Sequence, residues 1–418
     1  MVKSITKKKL KVLLLISGSI AAVRIPLLVS QLIKENYIVK CVITKNTENI
    51  IQPLSLSILS RNKCITDEDQ WDYKRSKPLH IYLNEWADIL VIAPLTATTL
   101  SKWICGNAEG LVSSILIANQ KPILVAPAMN TNMWLNPAVN NNYEKLKKYN
   151  NTLLIEPTKG LLACDQIGIG KIPSNNLLTL AIKYLSSKNG GIFFNDLTNK
   201  SFLITGGPTY ENIDSARTIT NNSSGIMSLM LAQVARFRGA KVTYIHGPLK
   251  INSELLDGIE SYEVKSGFEL HDLIKKHVAN YDYFIMNAAV TDIRIKERSS
   301  FKVPKNNLQE HLLNNLELVP DILRNVFPFK KKNQKFIGFC AFSGSFENLR
   351  KIIKKKFEIK GCDLIFANPI DINGQGFGED SENEGWLFDK KDMEYYIPKT
   401  SKLELAINLI NKIISIDK

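Results

Sequence analysis

Apolar residues along this chain come in short unbroken runs, separated by stretches in which they recur every three or four positions. In the first half, runs at residues 11–17, 38–44, 88–93 and 122–126 predict strands. The spaced stretches at 20–34, 96–103 and 111–119 predict helices, and a closing helix starts at Ser174 after a Gly-rich segment at 160–171. Val, Ile and Leu follow one another in the strands without alternation. That pattern marks strands covered on both faces, as in a parallel sheet, and a parallel sheet needs right-handed helical crossovers.

The second half repeats the design. Strands are expected at 202–205, 241–246, 283–287, 335–341 and 363–367, a helix after Ser223-Ser224-Gly225, a basic helix between the last two strands, and a final helix at 401–416. The polar, Lys/Asn-rich stretch 294–315 reads as a long loop. Ser186-Ser187-Lys188-Asn189-Gly190-Gly191 cannot continue the preceding helix and is the expected linker. A chain of 418 residues is too long for one ordinary core. The expectation is therefore α/β: two doubly wound, Rossmann-like parallel-sheet domains, at residues 1–188 and 192–418.

Composition narrows the class. The chain is 44% hydrophobic and 22% charged, as expected of a globular protein, with a formal net charge of +14. Its lysines fall in short scattered runs (Lys7 to Lys9, Lys330 to Lys332, Lys354 to Lys356), without interleaved aromatics or zinc-finger spacing. Solvated basic faces therefore account for the charge better than a nucleic-acid groove does. A role in gathering anionic substrates stays open. The cysteines, Cys41, Cys64, Cys105, Cys164, Cys340 and Cys362, form no CxxC pair, so neither a zinc site nor a disulfide framework is signalled, which suits a reducing cytoplasm. Lys7-Lys8-Lys9 before the apolar run 12–16 imitates a secretory signal, but Ser17-Gly18-Ser19 breaks the run and a helix follows. No stretch is long and apolar enough to span a membrane.

Candidate chemistry sits where strands end. Ser17-Gly18-Ser19-Ile20-Ala21-Ala22 joins a strand to a helix; its small residues let backbone N–H groups approach an anion, although a plain tight turn reads equally well. Ala93-Pro94-Leu95-Thr96-Ala97 places Thr96 as a helix cap at the carboxyl end of a strand, where ligands bind in such sheets. In Pro127-Ala128-Met129-Asn130-Thr131-Asn132-Met133, Asn130 reads as a cap and both methionines as core filler. His80 alone reads as structural. Cys164, on the Gly-rich segment, reads as part of a loop that closes over a site.

Taken together and in this order, Ser17-Gly18-Ser19-Ile20-Ala21-Ala22, His80, Ala93-Pro94-x-Thr96-Ala97, Pro127-Ala128-Met129-Asn130-x-x-Met133 and Ala163-Cys164 resemble the flavin-dependent cysteine decarboxylases, which include phosphopantothenoylcysteine decarboxylase. The resemblance implies a flavodoxin-like domain binding FMN through Gly18, Ser19, Ile20, Thr44 and Thr96. It also implies His80 as a base, Asn130 as the group that binds the substrate carboxylate, and Cys164 as a proton donor. A flavin suits the task. Loss of CO2 from an amino-acid carboxylate leaves electrons that need a sink, and prior oxidation of the thiol provides one.

The second half carries Gly207-Pro208-Thr209-x-Glu211-x-Ile213-Asp214-x-x-Arg217-x-Ile219-x-Asn221-x-Ser223-Ser224-Gly225, then Ala288-Ala289-Val290-Thr291-Asp292 at a strand end, and Lys302. An Asp beside nucleotide phosphates can hold Mg2+, and a Lys can offset phosphate charge. The pattern resembles phosphopantothenate–cysteine ligase, the usual C-terminal fusion partner of the decarboxylase. That resemblance implies activation of 4′-phosphopantothenate by CTP as an acyl cytidylate, followed by displacement of CMP by cysteine. Asn221 would stabilise the acyl nucleotide and Lys302 turn it over. Asn287, Ala288, Asp292, Pro320, Asp321, Ile322, Leu323, Phe339, Lys356 and Lys360 would contact the nucleotide, with Asp292 the candidate Mg2+ ligand.

The sequence departs from the family patterns at Asp165, Glu109-Gly110, Pro304, Val319 and Phe342. The departures in the second half motivate an alternative, in which the ligase half is inactive or prefers another nucleotide. The resemblance further implies a homo-oligomer, with a trimer-based flavin domain and a paired ligase domain, and neither nucleic acid nor membrane as a partner.

Overall fold

The computed structural model describes residues 9–187, 195–372, 376 and 382–417. The chain divides into two compact units, 1–195 and 196–418. Of the expected linker, 188–191 lie outside the described residues.

The first unit is built on β1 (Lys11–Ile16), β2 (Ile38–Ile43), β3 (Ile89–Leu95), β4 (Ile123–Pro127) and β5 (Thr152–Leu154). They form one parallel sheet in the order β2-β1-β3-β4-β5. Val12, Leu13, Leu14 and Leu15 are wholly buried between two neighbouring strands, so the run that imitates a signal sequence is a core strand. Helices Ile25–Lys34 and Asn175–Ser186 pack on one another, while Leu79–Trp86 packs on Leu111–Ala118. The expected helix at 20–34 is in two parts, a 3-10 turn Ile20–Arg24 and an α-helix that restarts at Ile25 ahead of Pro26. Proline at the first helical positions sacrifices no hydrogen bond.

The Gly-rich segment is an antiparallel hairpin of β6 (Thr158–Leu161) and β7 (Ile167–Lys171). It is seated on the end of β4. Met129 N–H donates to Gly170 O at 3.1 Å. A Cβ at Gly170 would lie 2.1 Å from Met129 O, and one at Gly168 would lie 2.1 Å from Thr131 Oγ1. Neither position has room for a side chain.

The second unit carries β8 (Ser201–Gly206), β9 (Tyr210–Asn212), β10 (Thr218–Thr220), β11 (Lys241–His246), β12 (Glu260–Glu263), β13 (Tyr283–Met286), β14 (Ile293–Ile295), β15 (Leu316–Leu318), β16 (Lys335–Phe342), β17 (Leu364–Pro369), β18 (Asn383–Asp389) and β19 (Glu394–Thr400). Its main sheet has eight strands in the order β12-β11-β8-β13-β16-β17-β18-β19. The strands from β12 through β17 are parallel. β18 and β19 are antiparallel, so the sheet is mixed where a purely parallel one was expected. β19 (EYYIPKT) is a half-exposed edge that buries only Ile397, so it lacks the long apolar run that announces a covered strand.

Two small pairs, β9–β10 and β14–β15, stand apart from this sheet. Within the stretch 294–315, expected as a loop, Lys305–Asn315 is a helix capped at Pro304. It buries none of its residues, so it has no apolar stripe for a periodicity argument to find.

Replacing Gly170 by Ala should unseat the hairpin. The expected outcome is a loss of about 1–3 kcal/mol in chemical unfolding, the usual range for a change of this kind, together with faster hydrogen exchange at the Met129 amide. Unchanged exchange there would show that the seat is not formed.

Candidate active sites

In the first unit the turns after parallel strands gather at one end of the sheet. Ser17 is buried; its Oγ donates to Pro94 O at 2.7 Å and accepts Thr96 N–H at 2.9 Å. Ser19 caps the 3-10 turn, accepting Ala21 N–H at 3.4 Å. Thr96 caps helix Ala97–Ile104, accepting Thr99 N–H at 3.3 Å, and Thr44 Oγ1 lies 3.0 Å from Thr47 Oγ1.

Two cavities meet this turn. One, of about 490 Å3, is lined by Gly18, Thr44, Thr96 and Met133 among others. The second, of about 460 Å3, brings Ser19 and Ile20 together with Asn130 and Cys164. Met129 is buried as expected, but Met133 is 47% exposed and borders the first cavity, so core filling does not account for it.

Asn130 caps the turn Thr131–Trp134 through Oδ1, which accepts Asn132 N–H at 2.9 Å. Its Nδ2 donates to Cys164 Sγ at 3.4 Å. Cys164 stands at the exposed tip of the β6–β7 hairpin, a turn closed by Leu162 N–H to Gln166 O at 2.9 Å and Asp165 N–H to Leu162 O at 3.0 Å. Asp165 has φ 59°, the left-handed region that favours glycine, which explains the residue usual there in the resembled family; Asp is one of the few substitutes that tolerate it. Arg24 and Lys171 also line this cavity, and none of its lining residues is acidic. Sequence pattern singles out neither cation, because each sits among small and apolar neighbours. His80 lies in the first turn of helix Leu79–Trp86 and lines neither cavity.

In the second unit Asn221 follows β10, and its Nδ2 donates to Ala289 O at 3.2 Å and Val290 O at 3.0 Å. Thr205 Oγ1 accepts the N–H groups of Asn287 at 3.2 Å and Ala288 at 3.3 Å, fixing the turn after β13. A cavity of about 230 Å3 beside this turn is lined by Ala288, Asp292, Val319, Pro320, Asp321, Ile322, Leu323, Phe339 and Lys360. Lys360 Nζ is 3.1 Å from Asp321 Oδ2, and Asp321 caps Arg324 N–H at 3.3 Å.

Asn287, Lys302 and Lys356 do not line this cavity. Lys356 lies one helical turn before Lys360, on the same face. Lys302 is exposed on a separate segment. Among the described residues no group of three or more His, Cys, Asp and Glu could hold a metal; the cavity's own carboxylates are Asp292 and Asp321. Of the departures, Phe342 is a buried residue packed edge-on against Trp386, and Val319 joins the cavity wall.

Asp214 and Arg217 received no role from sequence, yet they organise this region. Asp214 Oδ1 accepts the N–H groups of Ala216 and Arg217, both at 2.8 Å, and Oδ2 accepts Val303 N–H at 3.1 Å. Burial pushes its carboxyl up, but these N–H bonds and the Arg217 charge outweigh that and hold it below the ordinary carboxylate range. The signal was present: an Asp two residues before a turn, bonding backbone N–H groups ahead of it, is an Asx turn. Glu211, by contrast, is pushed up by burial, although it accepts Gly267 N–H at 2.7 Å.

Residues 2–185 match the Flavoprotein family, and residues 197–416 match the family of DNA/pantothenate metabolism flavoprotein C-terminal domains. The chain is 33% identical over 404 residues to the coenzyme A biosynthesis bifunctional protein CoaBC of Borreliella burgdorferi, covering 96% of this chain and 98% of that one. It is 32% identical over 412 residues to the CoaBC protein of Bacillus subtilis, covering 97% of each. The crystal structure of the C-terminal domain of a CoaBC protein aligns at 30% identity and a TM-score of 0.43, covering 53% of this chain and 97% of that one. That of a PPC decarboxylase mutant complexed with pantothenoylaminoethenethiol aligns at 36% identity and a TM-score of 0.40, covering 43% of this chain and 100% of that one. With relatives matching across both halves, the chain belongs to the bifunctional coenzyme A biosynthesis proteins, a flavoprotein decarboxylase half followed by a ligase half.

Proposed function

We propose that the second unit joins cysteine to 4′-phosphopantothenate with CTP and Mg2+, and that the first unit decarboxylates the resulting 4′-phosphopantothenoylcysteine with FMN to give 4′-phosphopantetheine. The observation that carries this reading is the meeting of Asn130 and Cys164, at 3.4 Å, in one cavity with the Ser19 turn. An inactive ligase half is not favoured, since relatives match through both halves.

The residues of the first unit fit a flavin. Cavities of about 460 and 490 Å3 fall within the ~300–1,000 Å3 of small-molecule sites, and the Ser19 and Thr96 turns present helix starts to a phosphate. Gly18, Ser19, Ile20, Thr44 and Thr96 would hold it. A bound flavin supplies oxidation of the substrate thiol and the later return of a hydride. The chain supplies the rest. Asn130 Nδ2, now shared with Cys164, can turn to the substrate carboxylate and orient it. Arg24 and Lys171 favour an anionic substrate in a cavity without acidic residues. Cys164 then protonates the enethiol carbon from the hairpin tip. His80 is the proposed base. With it goes a trimer-based assembly of the flavin units, in which another copy completes the site.

In the ligase half, Asn221 steadies the acyl cytidylate, and Lys302 offsets the charge that grows on the phosphate as CMP leaves. At about 230 Å3 the cavity holds part of the nucleotide. Lys356 and Lys360 offer their charge to its phosphates, with Asn287, Ala288, Pro320, Asp321, Ile322, Leu323 and Phe339 shaping the site. Mg2+ keeps most of its ligands from water and phosphate, so Asp292 alone suffices as its protein ligand. We further assign pairing of ligase units and a cytoplasmic location, where the exposed Cys164 thiol stays reduced.

Cys164→Ala should retain bound flavin and release CO2 yet accumulate the unreduced enethiol, read by its absorbance and by mass; normal phosphopantetheine output would refute the donor role. Lys302→Gln should release pyrophosphate and stall at the acyl cytidylate, read by trapping it from single-turnover reactions. Unchanged overall turnover would count against the lysine's role.

A further inference from the structure

We propose that Asp67 is a flavin-binding residue of the first unit. Its carboxylate accepts a hydrogen bond from the part of the cofactor beyond the phosphate, either the imide N–H of the ring or a hydroxyl of the ribityl chain. This rests on the reading of the cavity of about 490 Å3 as the flavin site.

Asp67 is held from three sides. Two residues before it, Ile65 is joined to β2: its N–H donates to Cys41 O at 2.9 Å, and its carbonyl accepts Ile43 N–H at 3.0 Å. Two residues after it, Asp69 Oδ2 accepts Thr66 N–H at 2.9 Å and Asp69 pairs with Lys63, which secures the 3-10 turn Asp67–Trp71. The third hold is its own. Asp67 Oδ1 accepts Leu111 N–H at 2.7 Å, at the start of helix Leu111–Ala118.

That last bond follows from Gly110. The residue in the cap position of this helix has no side chain to offer, and its φ of 89° and ψ of 156° suit glycine alone. A Cβ there would stand 3.3 Å from Asp67 Oδ1. A carboxylate from a distant loop therefore caps the helix, across the wall of the cavity that Asp67 and Gly110 both line.

Capping uses one oxygen. Oδ2 has no hydrogen-bond partner among the described residues. The cavity's other carboxylate, Glu109, is 74% exposed and paired with Lys102 at 2.8 Å. An ionised carboxylate oxygen accepts and cannot donate. It repels a phosphate and suits the N–H and hydroxyl groups of the flavin. The lining supplies separate places for the two. Lys45 follows Thr44 and adjoins the Gly18 turn, where a Cβ on Gly18 would lie 2.6 Å from Asn46 Cβ, whereas Asp67 stands with Gly110. The phosphate belongs with the first group and the rest of the flavin extends to the second. A carboxylate pinned in this way fixes how the cofactor lies relative to its phosphate turn.

The test is a flavin titration of the full-length chain freed of cofactor, read by quenching of flavin fluorescence. Asp67→Asn keeps an oxygen for Leu111 N–H and puts an amide NH2 in place of Oδ2. It should weaken FMN and riboflavin alike by about tenfold, the loss of one hydrogen bond to a charged group. The melting temperature of the flavin-free protein should stay within about 2 °C of wild type. Asp67→Ala removes the cap as well and should lower both affinity and melting temperature. Analogues locate the donor: 3-methyl-FMN lacks the imide N–H, and FMN analogues deoxygenated in the ribityl chain each lack one hydroxyl. One of them should bind wild type about tenfold more weakly than FMN, and that difference should vanish in Asp67→Asn. Tighter FMN binding by Asp67→Asn with riboflavin unchanged would put the carboxylate at the phosphate and overturn the proposal. Unchanged affinity for both flavins, or an analogue penalty that is the same in variant and wild type, overturns it too. Should Asp67→Asn fail to fold, wild type alone decides, because a chain that binds every analogue as well as FMN makes no such bond. A wild type that binds neither FMN nor riboflavin sinks the flavin reading itself, and Asp67's role with it.

Discussion

Ser17 is 1% exposed, and the end of β3 with the turn after it fills both hydrogen-bonding roles of its hydroxyl, as donor to Pro94 O and acceptor from Thr96 N–H. A buried hydroxyl left unpaired costs about 1–3 kcal/mol, so the pairing locks the turn after β1 to the turn after β3. The lock has this effect because the sheet is parallel. Every βα turn lies at the same end, where crevices form between neighbouring strands. Ser19, Thr44, Thr96 and Asn130 reach that end from four different strands, and each caps a helical turn whose first backbone N–H groups have no intrahelical partner. Anion binding of the kind proposed for this end would follow from fold direction and chain termination, with little dedicated machinery.

The two halves differ in how the backbone carries the group proposed to act in each. In the decarboxylase half it is a hairpin, seated by Gly168 and Gly170 against the end of β4, with Cys164 at the tip. In the ligase half it is the segment around Lys302, gripped by side chains on the neighbouring loop. A thiol that delivers a proton late must reach over bound substrate, and an exposed tip on a firm base allows that. A lysine that meets a leaving phosphate needs a fixed backbone and a free side chain, which is what the Val303 contacts give. Both arrangements spend their hydrogen bonds on backbone and leave the functional atoms unencumbered.

Much of this was legible in the chain. The buried strands β1, β3, β4, β8 and β13 announce themselves because cover on both faces demands unbroken apolar runs. Helices that bury a stripe are equally plain. Lys305–Asn315 is not legible because it buries nothing, nor is the edge strand β19, which buries only Ile397. Among the candidate site residues, motif position singled out Asn130, Cys164 and Asn221; the first two share a cavity and a hydrogen bond, and the third bonds the Ala289 and Val290 carbonyls. It did not separate Gly18, Thr44 and Thr96 from Ser19 and Ile20, which border different cavities, nor set His80 apart from both. It gave no role to Asp214, because the partners that define one, Val303 above all, are some ninety positions away and unspecific as residue types.

The account stands on two anion sites, at the ends of parallel strands in two separate sheets, acting in sequence on one chain. The most direct measurement supplies the purified yellow protein with 4′-phosphopantothenate, cysteine, CTP and Mg2+, and follows pyrophosphate, CO2 and 4′-phosphopantetheine together. Equal molar amounts of all three, with pyrophosphate appearing first, are the predicted result. Pyrophosphate without CO2, or CO2 only when phosphopantothenoylcysteine is supplied ready-made, would contradict it.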